Sequence, residues 1–579
     1  MSNASFFARC CRHLALIAAV LPTQAAAQWA ANGAAVCVAS GSQTEPAIAT
    51  DGANGAIIGW TDGRNVELDI YAQRVDATGT PLWSGGGVPV CSVAGDQTQL
   101  ATLKDFAGGA TFFWADQRNP SPGIYAQRLN GTGLTMWPQN GVALSTHAAG
   151  NSNVLAIQDL SSGHLVPRGY LVAWLETGAG GLRSIRAQHV DVEAGGLWTS
   201  AAVGGALICG SANSTKSVLV MDTDGAPGIS FLTGGAILAW EESRGGDLAI
   251  WARRVDAGGT PQWTADGIRV CGGTTGQQRD PAIANVGGDD CIVTWSDTRS
   301  GSAEIYAQRI DSTGTLFWAA DGVSVCNGPG ARTAPAILKD GAGGAFIAWL
   351  DTRTGSTQIY GQRITENGAR QWVLLGVPVC TAASNPESLT LLSDGAGGFF
   401  AVWRDHRNDS GDIYAQRVDA NGLLQWSASG VPLSLVAGAQ IFPAIVAGAG
   451  GLIAAWQDGR NPPFTDIYAN RVTTGGGITS APVVEASTAL LSLVSENPTR
   501  RGAQFRLALP ESRTVTMEVC DVTGRRVRSV ASARALGAGT HSLAWDGTDD
   551  VGSPVAAGVY FVRLAAGDES ETSRVVVVR

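Results

Sequence analysis

Along most of the chain, apolar residues come in short bursts cut by glycine and aspartate. In Ala56-Ile57-Ile58 the apolar positions are consecutive, the pattern of a strand covered on both faces, with Trp60 closing the run. Shorter β-rich runs flank it at Pro46–Ala49, at Asp69–Val75 and from Trp83 onward to Cys91. Turn signals separate them: Asp51-Gly52 and Asn54-Gly55 between the first two, Thr78-Gly79 between the last two. Four short strands per unit are therefore predicted.

The unit repeats. A segment PAI-x-x-DG-x-GGA-x-x-x-W-x-D-x-R, then DIYAQRVD-x-x-G, then W-x-x-x-GV-x-VC returns eight times. Its first tryptophan stands at Trp60, Trp114, Trp174, Trp240, Trp295, Trp349, Trp403 and Trp456, about 54 residues apart except near the third and fourth copies. Its second stands at Trp29, Trp83, Trp137, Trp198, Trp263, Trp318, Trp372 and Trp426. The phase is informative. The last copy, Pro443–Val472, lacks the W-x-x-x-G-x-x-x-C segment, and Trp29–Cys37 is such a segment with no copy before it. An N-terminal strand that completes the last sheet would close a ring and remove its exposed edges, whereas an open solenoid would carry polar caps instead. The expected fold is all-β: an eight-bladed β-propeller closed by the N-terminal strand, followed by a small Ig-like β-sandwich.

Composition fits this. Hydrophobic residues make up 45% and charged residues 15%, a globular balance, and 76 glycines suit short strands with tight turns. A chain of 579 residues exceeds one ordinary core and calls for several domains or a closed repeat. The first 27 residues carry Arg9 and Arg12, an apolar run from Leu14 to Leu21 and Ala25-Ala26-Ala27, the layout of a secretory signal peptide cleaved near Gln28. No later run approaches the ~20 apolar residues of a membrane helix, so no integral membrane segment is expected. A net charge of −10 argues against nucleic acid as a partner. The domains read as signal peptide 1–27, propeller 28–473, linker 474–487 around Thr474–Gly477, and C-terminal domain 488–579.

Candidate chemistry is dominated by one repeated pair after the blade tryptophan: Asp62/Arg64, Asp116/Arg118, Glu242/Arg244, Asp297/Arg299, Asp351/Arg353, Asp405/Arg407 and Asp458/Arg460. Seven copies cannot all be one catalytic site. A salt bridge or loop clamp in each blade, drawing in the IYAQR arginine (Arg74, Arg309, Arg363, Arg417), is the expected role, since buried charges must be paired. The competing reading, carboxylates arranged for calcium or glycan in each blade, lacks the dense oxygen spacing of a calcium loop, and no cofactor is expected. The histidines His147, His164, His189, His406 and His541 are scattered, without metal-ligand spacing. Sialidase-type S-x-D-x-G-x-x-W boxes, a nucleophile elbow and a phosphate loop are all missing. Cys37, Cys91, Cys209, Cys271, Cys326 and Cys380 recur a blade apart, too far to bridge, and Cys271 with Cys291 is the one pair to test. If one region is specialised, the third and fourth blades are candidates, with extra residues near Asn151–Gly169 and Asn213–Gly228 and with His189 in place of arginine.

Near the C-terminus stand Asn497-Pro498, Val519-Cys520-Asp521-Val522-Thr523-Gly524-Arg525, Trp545-Asp546-Gly547, Gly558-Val559-Tyr560-Phe561-Val562-Arg563 and Val575–Val578. This set resembles the Ig-like domain of the flagellar hook-capping (FlgD-like) family and the C-terminal sorting domains of bacterial type IX secretion substrates. The resemblance implies export, contact with secretion machinery, and attachment to or release from the cell surface. The propeller repeats look like those of uncharacterised exported bacterial proteins, which brings no activity with it. The expectation is a secreted or surface-located, non-enzymatic binding or adhesion protein whose propeller takes a glycan or protein partner. The rivals are a polysaccharide-active, sialidase-like propeller enzyme and a structural surface-layer component.

Overall fold

The computed structural model describes residues 29–578 except 106, 147–149, 160–168, 193–203, 211–215, 224–234, 245, 272–275, 289, 383, 449, 478–490, 494–498, 500–501, 510–512, 537–538 and 567–568. The signal-peptide segment, Trp198, His147, His164 and most of the linker lie outside the described residues. The chain divides into two compact units, 1–480 and 481–579.

The first unit is all-β, built from four-stranded antiparallel sheets, with one short 3-10 turn at Ala179–Gly181 among the described residues. In the first sheet the strands are Gln43–Thr50, Ala56–Asp62, Asp69–Val75 and Val88–Cys91, in chain order. Six further sheets repeat this meander. In the last, Gln440–Gly448, Gly451–Asp458 and Asp466–Thr473 take their fourth strand from Ala34–Cys37 at the other end of the unit. The first strands of successive sheets pack on one another, and Gln440–Gly448 in turn meets Gln43–Thr50. The second strands are largely buried, as their apolar runs require, and every position of Ala56–Asp62 is buried. The core therefore lies between sheets, where Trp60, Val75, Ile453 and Ala469 share one cluster with Trp29, Val36 and Cys37.

One glycine per sheet sets how closely the chain approaches the blade tryptophan. Gly87 has φ +85°, and a Cβ there would lie 2.5 Å from the Trp60 ring. In the last sheet Gly33, φ +93°, stands against Trp456 in the same way, so the N-terminal segment carries the glycine that this sheet would otherwise lack.

The strands differ from the sequence-based expectation at two points. Trp83 does not open the fourth strand, which begins only at Val88; it sits in the connection, its indole turned to the neighbouring sheet. The first strand starts at Gln43, before the Pro46 where the repeat motif begins, and its register slips between Thr44 and Ala47. The same slip recurs in every sheet of the unit, for example between Thr98 and Ala101 and between Ile441 and Ala444. It places a non-glycine residue in left-handed backbone: Glu45, Gln99, Asn153, Asp280, Ala334, Ser388 and Phe442, with φ from 49° to 57°.

The second unit holds a three-stranded sheet (Leu491–Leu493, Ala503–Leu509, Gly539–Trp545) and a four-stranded one (Arg526–Leu536, Arg513–Cys520, Gly558–Ala566, Glu569–Val577). Phe505, Leu507, Met517, Val519, Trp545 and Val562 fill its core. Trp545 and Tyr560 pack at 5.3 Å between ring centroids.

Candidate functional site

Two ion-pair clamps repeat through the first unit. The first is the Asp-x-Arg pair at the end of the second strand. Asp62 accepts from the Trp60 indole at 2.6 Å, from the Arg64 backbone N–H at 2.9 Å and from the Arg64 guanidinium at 2.8 and 2.6 Å. Arg64 also donates to Gly86 O at 2.7 Å and lies 3.8 Å over the Tyr71 ring. Arg118–Asp116, Arg244–Glu242, Arg299–Asp297, Arg407–Asp405 and Arg460–Asp458 pair at 2.5–2.6 Å, and Arg353 pairs with Asp351. In the last sheet Arg460 donates to Asn32 O at 2.8 Å, the N-terminal counterpart of Gly86. The carboxylates of Asp297, Asp351 and Asp405 are held below the usual range: burial pushes them up, and the arginine and indole hydrogen bonds outweigh it.

The arginine of IYAQR does not join this clamp. Arg74 pairs instead with Asp51 of the Asp-Gly turn at 2.9 Å and donates to Gly131 O of the next sheet at 2.9 Å, where the Trp83 indole also donates at 3.1 Å. Arg309–Asp290, Arg363–Asp340 and Arg417–Asp394 repeat the pairing. The reason is position along the strand: in Asp69–Val75 Arg74 lies opposite Ile57, at the end remote from the Asp62–Asp69 pair. Where the sequence departs from the repeat, substitutes appear. Glu176 in the third sheet takes Arg186 at 2.6 Å in place of the missing loop arginine, Lys216 is fully buried against Glu242 at 3.1 Å, and Arg332 against Asp351 at 3.2 Å.

The repeated cysteines are buried beside these arginines, as Cys37 is with the Arg64 guanidinium 3.4 Å away, and all eight described cysteines are free, Cys271 and Cys291 included. Burial pushes the thiols of Cys37 and Cys209 up to about 11 and that of Cys91 to about 12. Asp69, Asp412 and Asp466 are raised too, by burial, but each is enclosed against an asparagine amide at 2.6–2.8 Å.

Non-repeated side chains gather elsewhere, at the bulge of the first strands. That bulge lies beside the loops after Asp-x-Arg: Gln43 N–H donates to Thr465 O at 2.7 Å, Gln97 N–H to Leu68 O at 2.7 Å and Gln440 N–H to Gly411 O at 2.8 Å. In two sheets the residue after the blade tryptophan reaches across to the next sheet's bulge. Gln457 accepts from the Glu45 N–H at 3.3 Å and Glu241 from the Asp280 N–H at 2.6 Å. Glu45, Gln99, Ser388 and Phe442 are exposed. In the seventh sheet Glu387, its side chain 55% exposed, takes Arg404 at 3.1 Å and lies 3.5 Å from His406 Nε2.

Sequence reasoning missed these residues because a repeat that starts at the proline of PAI cuts off the residue before it. The usable signal was the variation Glu45, Asp280, Ala334 and Phe442 ahead of the proline in the four copies that carry it. The expected specialisation of the third and fourth sheets falls partly outside the described residues; Gly150–Asp159 and Lys216–Thr223 are their first strands. Among the described residues no group of three or more His, Cys, Asp or Glu is placed to hold a metal, and no helix is long and apolar enough to cross a membrane. In the second unit a cleft of about 440 Å³ is lined by Asp521, Arg525, Asp549 and Tyr560, with Asp521 and Asp549 engaged in their own turns.

Solved structures similar to this chain include a protein of unknown function from Dyadobacter fermentans (8% identity, 76% of this chain and 97% of that one, TM-score 0.33). Others are the GH93 α-L-arabinofuranosidase of Fusarium graminearum (10%, 66% and 96%, TM-score 0.32) and PorZ, a surface component of the type IX secretion system of Porphyromonas gingivalis (12%, 95% and 100%, TM-score 0.19). No curated protein matches the chain. Residues 495–570 match the FlgD Ig-like domain, so the C-terminal unit is similar to that domain.

Proposed function

We propose that this is an exported or cell-surface binding protein without catalytic activity. In this reading residues 28–473 form an eight-bladed propeller closed by the N-terminal strand, 474–487 are a linker, and 488–579 form an Ig-like module for secretion sorting or surface attachment. The propeller presents its bulge face to a glycan. Closure is supported by the pairing of Ala34–Cys37 with Asp466–Thr473 and by the Gly33 and Asn32 contacts in the last sheet.

The observation that carries the binding reading is the division of labour among polar groups. The repeated charges are mostly paired within the unit, whereas Glu45, Gln99, Asp280, Ser388 and Phe442 share one left-handed backbone position and differ in side chain, with Glu387 beside Ser388. The same division supports a non-enzymatic role: the carboxylates raised by burial, Asp69, Asp412 and Asp466, are buried and recur at one repeat position. The test is a polysaccharide panel assayed in parallel for retention of the full chain and for newly released reducing ends or unsaturated products. Retention without product is expected. Product abolished by Glu45→Gln, Asp280→Asn or Glu387→Gln would establish the polysaccharide-active enzyme instead, and silence on every polysaccharide would leave a protein partner or a structural surface role.

A further inference from the structure

Resting on the glycan reading above, the geometry points to a neutral-sugar subsite on the bulge face between the seventh and eighth sheets, formed by Glu387, Arg404, His406 and Phe442. Its groups are non-repeated. Arg404 stands where the other sheets carry Thr61, Ala115, Leu175, Glu241, Ser296, Leu350 and Gln457, and His406 where Gly63 and Gly459 stand in the first and last sheets.

The site is built rather than incidental. Arg404 donates through one terminal nitrogen to Glu387 at 3.1 Å and through the other to Ser410 O at 2.7 Å. Its side chain lies along Gly411, where a Cβ would come 2.4 Å from Arg404 Nε and leave no room for this conformation. Gly411 O accepts the Gln440 N–H that starts the next sheet, two residues before Phe442. Phe442 is half-exposed, with φ +54° turning it out of the pleat. Arg404 and Phe442 occupy the positions equivalent to Gln457 and Glu45, which meet across the last and first sheets, and Phe399–Asp405 packs on Gln440–Gly448.

Sugar recognition asks for an apolar surface under the C–H face of the ring and paired donors and acceptors for adjacent hydroxyls. Phe442 supplies the first. Glu387, fixed by Arg404 and flanked by His406, supplies a carboxylate acceptor with the guanidinium and imidazole as neighbouring donors. Charge selects among sugars. The guanidinium is already matched by Glu387, and the same face carries Glu45 and Asp280 on a chain of net charge −10. A uronate or sulfated sugar would meet uncompensated carboxylates, whereas a neutral hexose or pentose with a vicinal diol would not.

The test uses the full chain with galactomannan, arabinan and dextran as neutral probes and polygalacturonate as the anionic one, by affinity electrophoresis and titration calorimetry. The expected result is binding of a neutral polysaccharide that weakens about tenfold or more in Phe442→Ala and in Glu387→Gln. Phe442→Tyr retains binding, and the denaturation midpoints of all three variants match the parent, which separates recognition from folding. Neutral binding untouched by Phe442→Ala and Glu387→Gln would sink this subsite while leaving the glycan reading standing. Preference for polygalacturonate would overturn the sugar class, and no polysaccharide binding at all would remove the glycan reading and the subsite with it.

Discussion

The N-terminal segment provides the sharpest test of ring closure. Trp29 is 1% exposed, donates its indole N–H to Ala77 O at 3.1 Å and packs against Gly79, in the connection between the third and fourth strands of the first sheet. It thus ties the last sheet's supplementary strand to the first sheet, as Trp83 ties the first sheet to the second through Gly131 O. Trp29→Ala removes a buried indole, a change costing about 3–5 kcal/mol. Ala77 O keeps the Arg471 guanidinium at 3.2 Å, so no further cost arises from an orphaned acceptor. With a urea dependence of at least about 3 kcal/mol/M for a chain this large, the denaturation midpoint should fall by about 1 M. Trp83→Ala is the internal comparison; Trp83 is only partly buried, so its loss should cost no more. Urea denaturation followed by far-ultraviolet circular dichroism reads both variants. A Trp29→Ala midpoint equal to the parent's, with Trp83→Ala shifted, would show that the ring does not depend on its N-terminal strand.

Other consequences follow from the clamps and the thiols. Asp405→Ala strands the Arg407 guanidinium and the Trp403 indole and should cost about 3–5 kcal/mol in the same denaturation assay; a cost under about 1 kcal/mol would show the clamp to be dispensable. The folded carboxylates of Asp297, Asp351 and Asp405 lie below their unfolded value of 3.8, so their stabilisation is complete above that pH and is lost as the pH falls through the lower folded values. Asp69, Asp412 and Asp466 are raised and act in the opposite sense, losing their contribution as the pH rises through their folded values. Comparing acid denaturation of the parent with Asp351→Asn therefore isolates the first effect, and an unchanged acid slope would contradict it. With Cys37, Cys91 and Cys209 raised to about 11, 12 and 11, a disulfide reagent at pH 8 should label none of them in the native chain and all of them after denaturation; rapid native labelling would refute their burial.

Much of the architecture was legible because the repeat is written in residues with one structural use each. Tryptophan after an apolar run marks the second strand, Asp-Gly the turn before it, and the displaced Trp29–Cys37 segment the strand that completes the last sheet. The Asp-x-Arg pairs were visible as pairs, but the partner of Arg74 was not, because choosing between Asp62 and Asp51 requires knowing which end of the third strand the side chain leaves from. Trp83 read as strand because aromatic residues favour strands, while in the fold its indole hydrogen bond to the next sheet decides its place. The candidate site was least legible. Its residues have no motif, being defined by departure from one, and they meet only through contacts between neighbouring sheets. The C-terminal motif was legible on its own, and its Trp545 and Tyr560 pack at a tilt in a small core.

The left-handed bulge has a consequence for how such a molecule can change. Seven backbone sites hold the same conformation while accommodating glutamate, glutamine, asparagine, aspartate, alanine, serine and phenylalanine. The left-handed geometry thus tolerates displayed side chains of differing size and charge. New specificity can therefore arise by single substitutions at these positions, each sheet acting as an independent letter, without renegotiating the interior that keeps the chain folded.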